Sequence, residues 1–151
     1  MRILVAYDGS SPADAAVMEV GRRPWPARTQ VRLVSVAEWP PMIEVPPPAG
    51  PEWGLERLRE ALLERTKRSL EDAQKSLASR PDLDVTSDLR EGNARQSLLE
   101  AIEAWKPDLV MVGSTGKSGL KRFLMGSVCH ALVTHAPCNV EVVGAPLIEG
   151  K

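Results

Sequence analysis

Apolar residues fall along this chain in two rhythms, short continuous runs and longer stretches with helical spacing. Arg2 to Tyr7, reading RILVAY, is a nearly unbroken apolar run that ends at Asp8-Gly9-Ser10. That is the pattern of a parallel strand buried on both faces and leading through a turn into a helix. The helix is predicted to start near Ser10 or Ser11, with Pro12 in its first turn. Ala13, Ala15, Ala16, Val17 and Val20 give it small apolar faces for close packing on a sheet, and Gly21 is expected to stop it. Val31 to Val36 (VRLVSV) is a second β-branched run. From Gly54 to Ser79 the spacing of Leu55, Leu58, Leu62, Leu70, Ala73 and Leu77 predicts one long amphipathic helix closed by Pro81. A weaker strand over Val85 to Leu89, a helix over Ala94 to Trp105 and a strand over Leu109 to Val112 follow. A helix from Ser127 to Thr134 and a last strand over Val140 to Val143 complete the series.

Strands that alternate with helices call for crossover connections and a parallel sheet covered on both faces. The predicted architecture is therefore a doubly wound three-layer α/β sandwich with a five-stranded parallel sheet, in one domain over residues 1–151. Ligands of such sheets sit past the carboxyl ends of the strands, where the winding reverses. Glu38 to Pro51 holds six prolines and few helix formers, so it is predicted to be a surface loop that closes over a ligand or meets a partner.

The composition narrows the functional classes. With 151 residues, 43% hydrophobic and 26% charged, the chain fits a soluble globular protein, not a disordered one. Its 19 basic and 20 acidic residues are spread along the sequence and form no stripe able to neutralise many phosphates, which argues against nucleic acid as a partner. The first apolar run is interrupted at Asp8 and is too short for a secretory signal or a membrane span, so a cytoplasmic location and no membrane partner are expected. Cys129 and Cys138 make no disulfide framework.

The candidate chemistry lies after the fourth predicted strand. Gly113-Ser114-Thr115-Gly116 leaves that strand, and Gly126-Ser127-Val128 opens the next helix. Glycines let main chain approach an anion closely, and free N–H groups at a helix start point at it with the positive end of the helix dipole. A di- or triphosphate suits such a cradle, with the Ser127 hydroxyl beside it and Lys117 reaching the distal phosphates. The same glycines would also serve plain tight turns. Gly116-Lys117-Ser118 is a decoy for the end of a P-loop, because that motif needs a glycine where Met111 stands. Asp8, in the turn Asp8-Gly9-Ser10, suits the role of a carboxylate at the start of the following helix. Val36 falls among the β-branched residues expected in the core of a buried strand. Cys129, His130, His135 and Cys138 are side chains that zinc accepts, but their spacing and Pro137 speak against a zinc site.

On these residues the chain resembles the universal stress protein family in its nucleotide-binding branch. The resemblance runs from VAYDGS through VRLVSV and GNARQSLLEAIEAWKPDLVMVGSTG to GLKRFLMGSVCHALVTHAPCNVEVV. The family's motif, Gly-x2-Gly-x9-Gly-Ser/Thr, is met by Gly113, Gly116, Gly126 and Ser127. The resemblance implies the strand order 3-2-1-4-5, ATP as ligand with Mg²⁺ or Mn²⁺ carried on its phosphates, and a homodimer made by pairing Val140 to Val143. It also implies that Asp8 is the acidic residue facing the nucleotide, that Val36 lies against adenine, and that Ala6 and Val112 line the same crevice. Ser35 stands where many relatives carry histidine, and Ala94 where proline is common. A nucleotide-dependent stress or signalling module with at most slow hydrolysis is the function implied, with a slow ATPase or related adenine-nucleotide hydrolase as the alternative.

Overall fold

The computed structural model of the chain describes residues 1–38, 53–116 and 125–145. The elements follow one another as β1 (Arg2–Ala6), α1 (Ser11–Arg22), β2 (Thr29–Ala37), α2 (Trp53–Ser76), β3 (Leu83–Glu91), α3 (Ala94–Trp105), β4 (Leu109–Gly113), α4 (Ser127–His135) and β5 (Asn139–Val143). The strands form one sheet in the order β3-β2-β1-β4-β5, with every neighbouring pair parallel. This is the predicted architecture, and the order implied by the resemblance is the observed one.

Strand side chains alternate between faces, and both faces of β1 are covered. Ile3 and Val5 join Leu33 and Met111 under α1 and α2, packed by Ala13, Ala16, Val17, Leu70, Ala73 and Leu77. Leu4 and Ala6 join Val34, Val110 and Val112 on the other face, packed by Leu98, Ala101 and Ile102 of α3 and Cys129 and Leu132 of α4. Two covered faces are the reason β1 reads as a continuous apolar run rather than an alternating one. Because α1 and α2 lie on one face and α3 and α4 on the other, the winding reverses between β1 and β4. Their carboxyl ends therefore splay apart as a crevice.

Element boundaries depart from expectation where tertiary contacts act. Ser10 is the N-cap of α1, its Oγ accepting from Ala13 N–H at 3.3 Å. Gly21 does not end that helix, which runs on to Arg22. Gly21 is instead a contact point, since a Cβ there would stand 3.3 Å from Leu77 Cδ2. The stop comes from Pro24, which forces extended backbone on the capping residue Arg23 (φ −85°, ψ 148°).

Helix α2 ends at Ser76, before the predicted Ser79, and its last residues tighten into three-residue turns through Leu77 N–H to Gln74 O and Ala78 N–H to Lys75 O. Arg80 then fastens this corner, donating to the carbonyls of Gly21 and Arg23 at 2.7 and 3.0 Å. Leu70, Ala73 and Leu77 are buried as expected, but Leu55 and Leu58 are about half exposed (53% and 47%). The 24-residue helix spans roughly 36 Å, so its first turns reach past the sheet that covers its later ones. Strand β3 is longer than expected, Leu83–Glu91, pairing with β2 along its whole length. Its signal is weak because it is an edge strand whose Asp84, Thr86 and Ser87 face solvent.

Candidate functional site

The exit of β1 is held from two directions. Tyr7 N–H donates to Val34 O at 2.9 Å, one step past the last β1–β2 pair, Ala6 with Val34. The buried Ser35 hydroxyl donates to the Tyr7 carbonyl at 2.7 Å. On the helical side the Tyr7 hydroxyl donates to Asp14 Oδ1 of α1 at 2.7 Å. Burial, followed by the hydrogen bond to Asp14, pushes the Tyr7 phenol up to about 12. With Tyr7 fixed, the next residues turn sharply. Gly9 takes φ +78°, open to glycine at little cost, and Ser10 N–H donates to Asp8 Oδ1 at 2.9 Å. Asp8 thus braces the start of α1 with one oxygen, while its other oxygen reaches the glycine turn after β4.

Each glycine of that turn has a different physical reason. At Gly113 a Cβ would fall 2.8 Å from Pro12 Cβ and 2.9 Å from Ala13 N, so this glycine admits the first turn of α1 against the end of β4. At Gly116 a Cβ would stand 3.0 Å from Asp8 Oδ2, and at Gly126 it would stand 3.3 Å from Thr115 Cα. The turn is closed by Gly126 N–H donating to Ser114 O at 2.8 Å, and Ser114 N–H is fastened to Val143 O of β5 at 2.8 Å. Gly126 is the N-cap of α4 and brings no side chain to the cap. The first N–H paired within that helix is His130, to Gly126 O. Among the described residues, the N–H groups of Ser127, Val128 and Cys129 therefore have no acceptor. Unmet donors at a helix start carry partial positive charge and suit an anion.

A crevice of about 480 Å³ opens between these ends. Of the residues expected at a site, Ala6, Asp8, Val36, Val112, Gly113, Thr115, Gly116, Gly126, Ser127 and Val128 all line it. Ser114 stands behind the lining, where it closes the turn. Lys117 lies outside the described residues, as does the proline-rich loop beyond Glu38.

The structure also brings in residues that sequence reasoning passed over: Tyr7 and Ala13, Val34, Ala37 and Glu38 of the β2 end, Leu62 and Thr66 of α2, Ala94 and Leu98 of α3, and Cys129. Leu62 and Thr66 are one turn apart on the helix, and Tyr7 is adjacent to Asp8, so a spacing signal existed for these. Glu38 reads along the chain only as the first residue of the proline-rich loop, and the meeting of β2 with α3 places it there, its Oε1 accepting from Ala94 N–H at 3.1 Å.

The two cysteines are free, Cys129 buried and Cys138 half-buried. Burial raises both thiols above their ordinary range, with Asp108 adding to the effect at Cys138. Among the described residues no group of three or more His, Cys, Asp and Glu side chains comes together to hold a metal ion. No helix of the described residues is long and apolar enough to cross a membrane.

Known proteins share this fold. The model of the universal stress protein family matches residues 1–144. A universal stress protein of Methanocaldococcus jannaschii is 29% identical over 145 residues, covering 96% of this chain and 82% of the relative. Among solved structures, the protein MJ0577 superposes with a TM-score of 0.81 at 25% identity, covering 96% of both chains. A universal stress protein of Arabidopsis thaliana with AMP bound has the same fold, with a TM-score of 0.66 at 15% identity over 100% of this chain and 95% of its own.

Proposed function

The chain belongs to the universal stress protein family, and on that premise we propose that it binds an adenine nucleotide, ATP, in the crevice at the ends of β1 and β4. The observation that carries this reading is the opening of α4, where three consecutive N–H groups without acceptors among the described residues, Ser127 to Cys129, meet the Ser114–Gly116 turn. A polyphosphate supplies the acceptors such a helix start lacks. Asp8 is the carboxylate nearest that turn and offers a hard oxygen to a Mg²⁺ or Mn²⁺ ion carried on the phosphates. The base belongs at the far end, against Val34, Val36, Ala94 and Leu98. The AMP-bound relative supports an adenine ligand by analogy of fold.

The described lining includes no histidine, lysine or arginine, and fast phosphoryl transfer depends on groups that place the nucleophile and stabilise the developing charge. Retention of ATP with at most slow hydrolysis is the behaviour this site supports, as in a module whose occupancy alters its surfaces. Strand β5 is a sheet edge with Val142 exposed, so pairing of two such edges, Val140 to Val143, is the proposed homodimer contact.

The test is mass spectrometry of ligand released from freshly purified protein, with calorimetric titration of Mg-ATP. Stoichiometric ATP and a saturable isotherm lost in a Gly116→Ala/Gly126→Ala double variant are expected. Absence of bound nucleotide together with no thermal shift at saturating Mg-ATP would overturn the proposal.

A further inference from the structure

The phosphate end of the crevice is rich in polar groups, and the opposite end is almost bare of them. Toward β2 and α3 the lining side chains are Val34, Val36, Ala37, Ala94 and Leu98, all apolar, and Glu38. Two features give this end a defined polar pattern. The first is main chain. Strand β2 runs to Ala37 while its pairing with β1 stops at Val34. Val34 O points toward β1, where it accepts from Tyr7 N–H, and Ala37 O points toward β3, where it accepts from Gly92 N–H. The alternation of a parallel ladder therefore turns both peptide groups of Val36 toward β1, past the last β1–β2 pair. The second feature is Glu38, whose Oε1 is held by the Ala94 N–H at the start of α3. An ionised carboxylate only accepts hydrogen bonds, and one donor leaves most of its capacity unused.

Resting on the nucleotide reading above, we propose that Glu38 is a specificity-determining residue that accepts a hydrogen bond from the exocyclic amino group of the bound base. Val36 offers one donor and one acceptor to the edge of a ring, a pattern that many bases satisfy. Glu38 adds an acceptor with negative charge, which favours an amino group and repels a carbonyl oxygen in the same place. Its tie to Ala94 fixes the carboxylate before the ligand arrives, so little side-chain freedom is lost on binding.

The experiment compares ATP with purine riboside triphosphate, in which hydrogen replaces the 6-amino group, by calorimetry on the full chain and on Glu38→Ala and Glu38→Gln. The wild-type protein is expected to bind ATP at least about tenfold more tightly than the amine-free analogue, as for one hydrogen bond to a charged acceptor. Glu38→Ala should weaken ATP about tenfold, leave the analogue unchanged, and bring the two within about threefold. Glu38→Gln keeps an amide oxygen for Ala94 N–H and should reduce the preference by an intermediate factor, which preserves the test if the alanine variant folds poorly. Were Glu38 only a cap for α3, both nucleotides would weaken together and their ratio would hold in both variants, and that result overturns the inference. Failure of the wild-type protein to bind either nucleotide would instead overturn the nucleotide reading itself.

Discussion

The hydroxyl of Ser35, buried in β2, donates to the carbonyl of Tyr7 at 2.7 Å and so carries the hydrogen bonding between β1 and β2 beyond the last strand pair. This bond thus sets the direction of the backbone entering Asp8. Ser35→Ala leaves the Tyr7 carbonyl without that donor in a site water scarcely reaches. Urea unfolding should show a loss of about 1–3 kcal/mol, and titration of Mg-ATP should show weaker binding than the stability loss alone would cause, because Asp8 moves. Unaltered affinity in a folded Ser35→Ala protein would show that Asp8 is positioned by other contacts.

The glycines of the turn should separate stability from binding. Gly113→Ala places a methyl against Pro12 and the Ala13 backbone nitrogen, neither of which can swing aside. Denaturant unfolding should report a loss of about 1–3 kcal/mol from overpacking. Gly116→Ala meets the Asp8 carboxylate, the end of a movable side chain. It should cost less than about 1 kcal/mol by the same measurement while reducing nucleotide affinity. Equal stability losses in the two variants would refute this division.

Gly126→Val acts by a related route. The structure directs the valine Cβ at Thr115 Cα and the Gly116 nitrogen, so binding should fall through displacement of the turn, with the β5 edge and any dimer unchanged in sedimentation.

Tyr7 is the single tyrosine of the chain, so its ionisation can be followed directly by ultraviolet absorbance. Its phenol is raised to about 12 in the folded protein, from the ordinary value of 10.0. A raised value means that the folded state holds the proton more tightly than the unfolded chain, so this contribution to stability is complete below pH 10 and is lost as pH climbs toward about 12. Stability of the wild-type protein should therefore fall with pH across that window, and Tyr7→Phe should flatten the fall. An absorbance midpoint near 10 in the native protein would contradict the buried bond to Asp14.

Cys129 lines the crevice, is only 2% exposed and has its thiol raised by burial, so alkylation at neutral pH should be slow. Bound nucleotide should slow it further while leaving Cys138, which does not line the crevice, at its free rate. Mass spectrometry of the modified peptides distinguishes the two thiols, and equal protection of both would point to a global effect.

Edge tethering can be tested separately. Arg23 joins Glu19 of α1 to Glu141 of β5, with its Nε 2.9 Å from Glu19 and Nη1 2.7 Å from Glu141. These side chains are partly exposed, so Glu141→Gln should cost only about 0–1 kcal/mol in denaturant unfolding, and less at high salt.

The order of strands and helices, the buried character of β1 and the glycine pair after β4 were all legible along the chain, because each is a local consequence of backbone conformation and of which faces must be covered. Ala94–Trp105 was read to the residue because Asn93 caps its start, the Asn93 side chain accepting from Gln96 N–H. What the sequence could not supply is whatever depends on two distant segments meeting. Gly21 reads as a stop until α1 is seen against Leu77, and Gly113 reads as a phosphate glycine until its missing side chain is seen to admit Pro12. Glu38 reads only as the start of a loop and acquires its place in the crevice when the end of β2 meets the start of α3. Periodicity and turn chemistry thus determined the elements and their sequence, while close packing between segments far apart in the chain decided which side chains share the site.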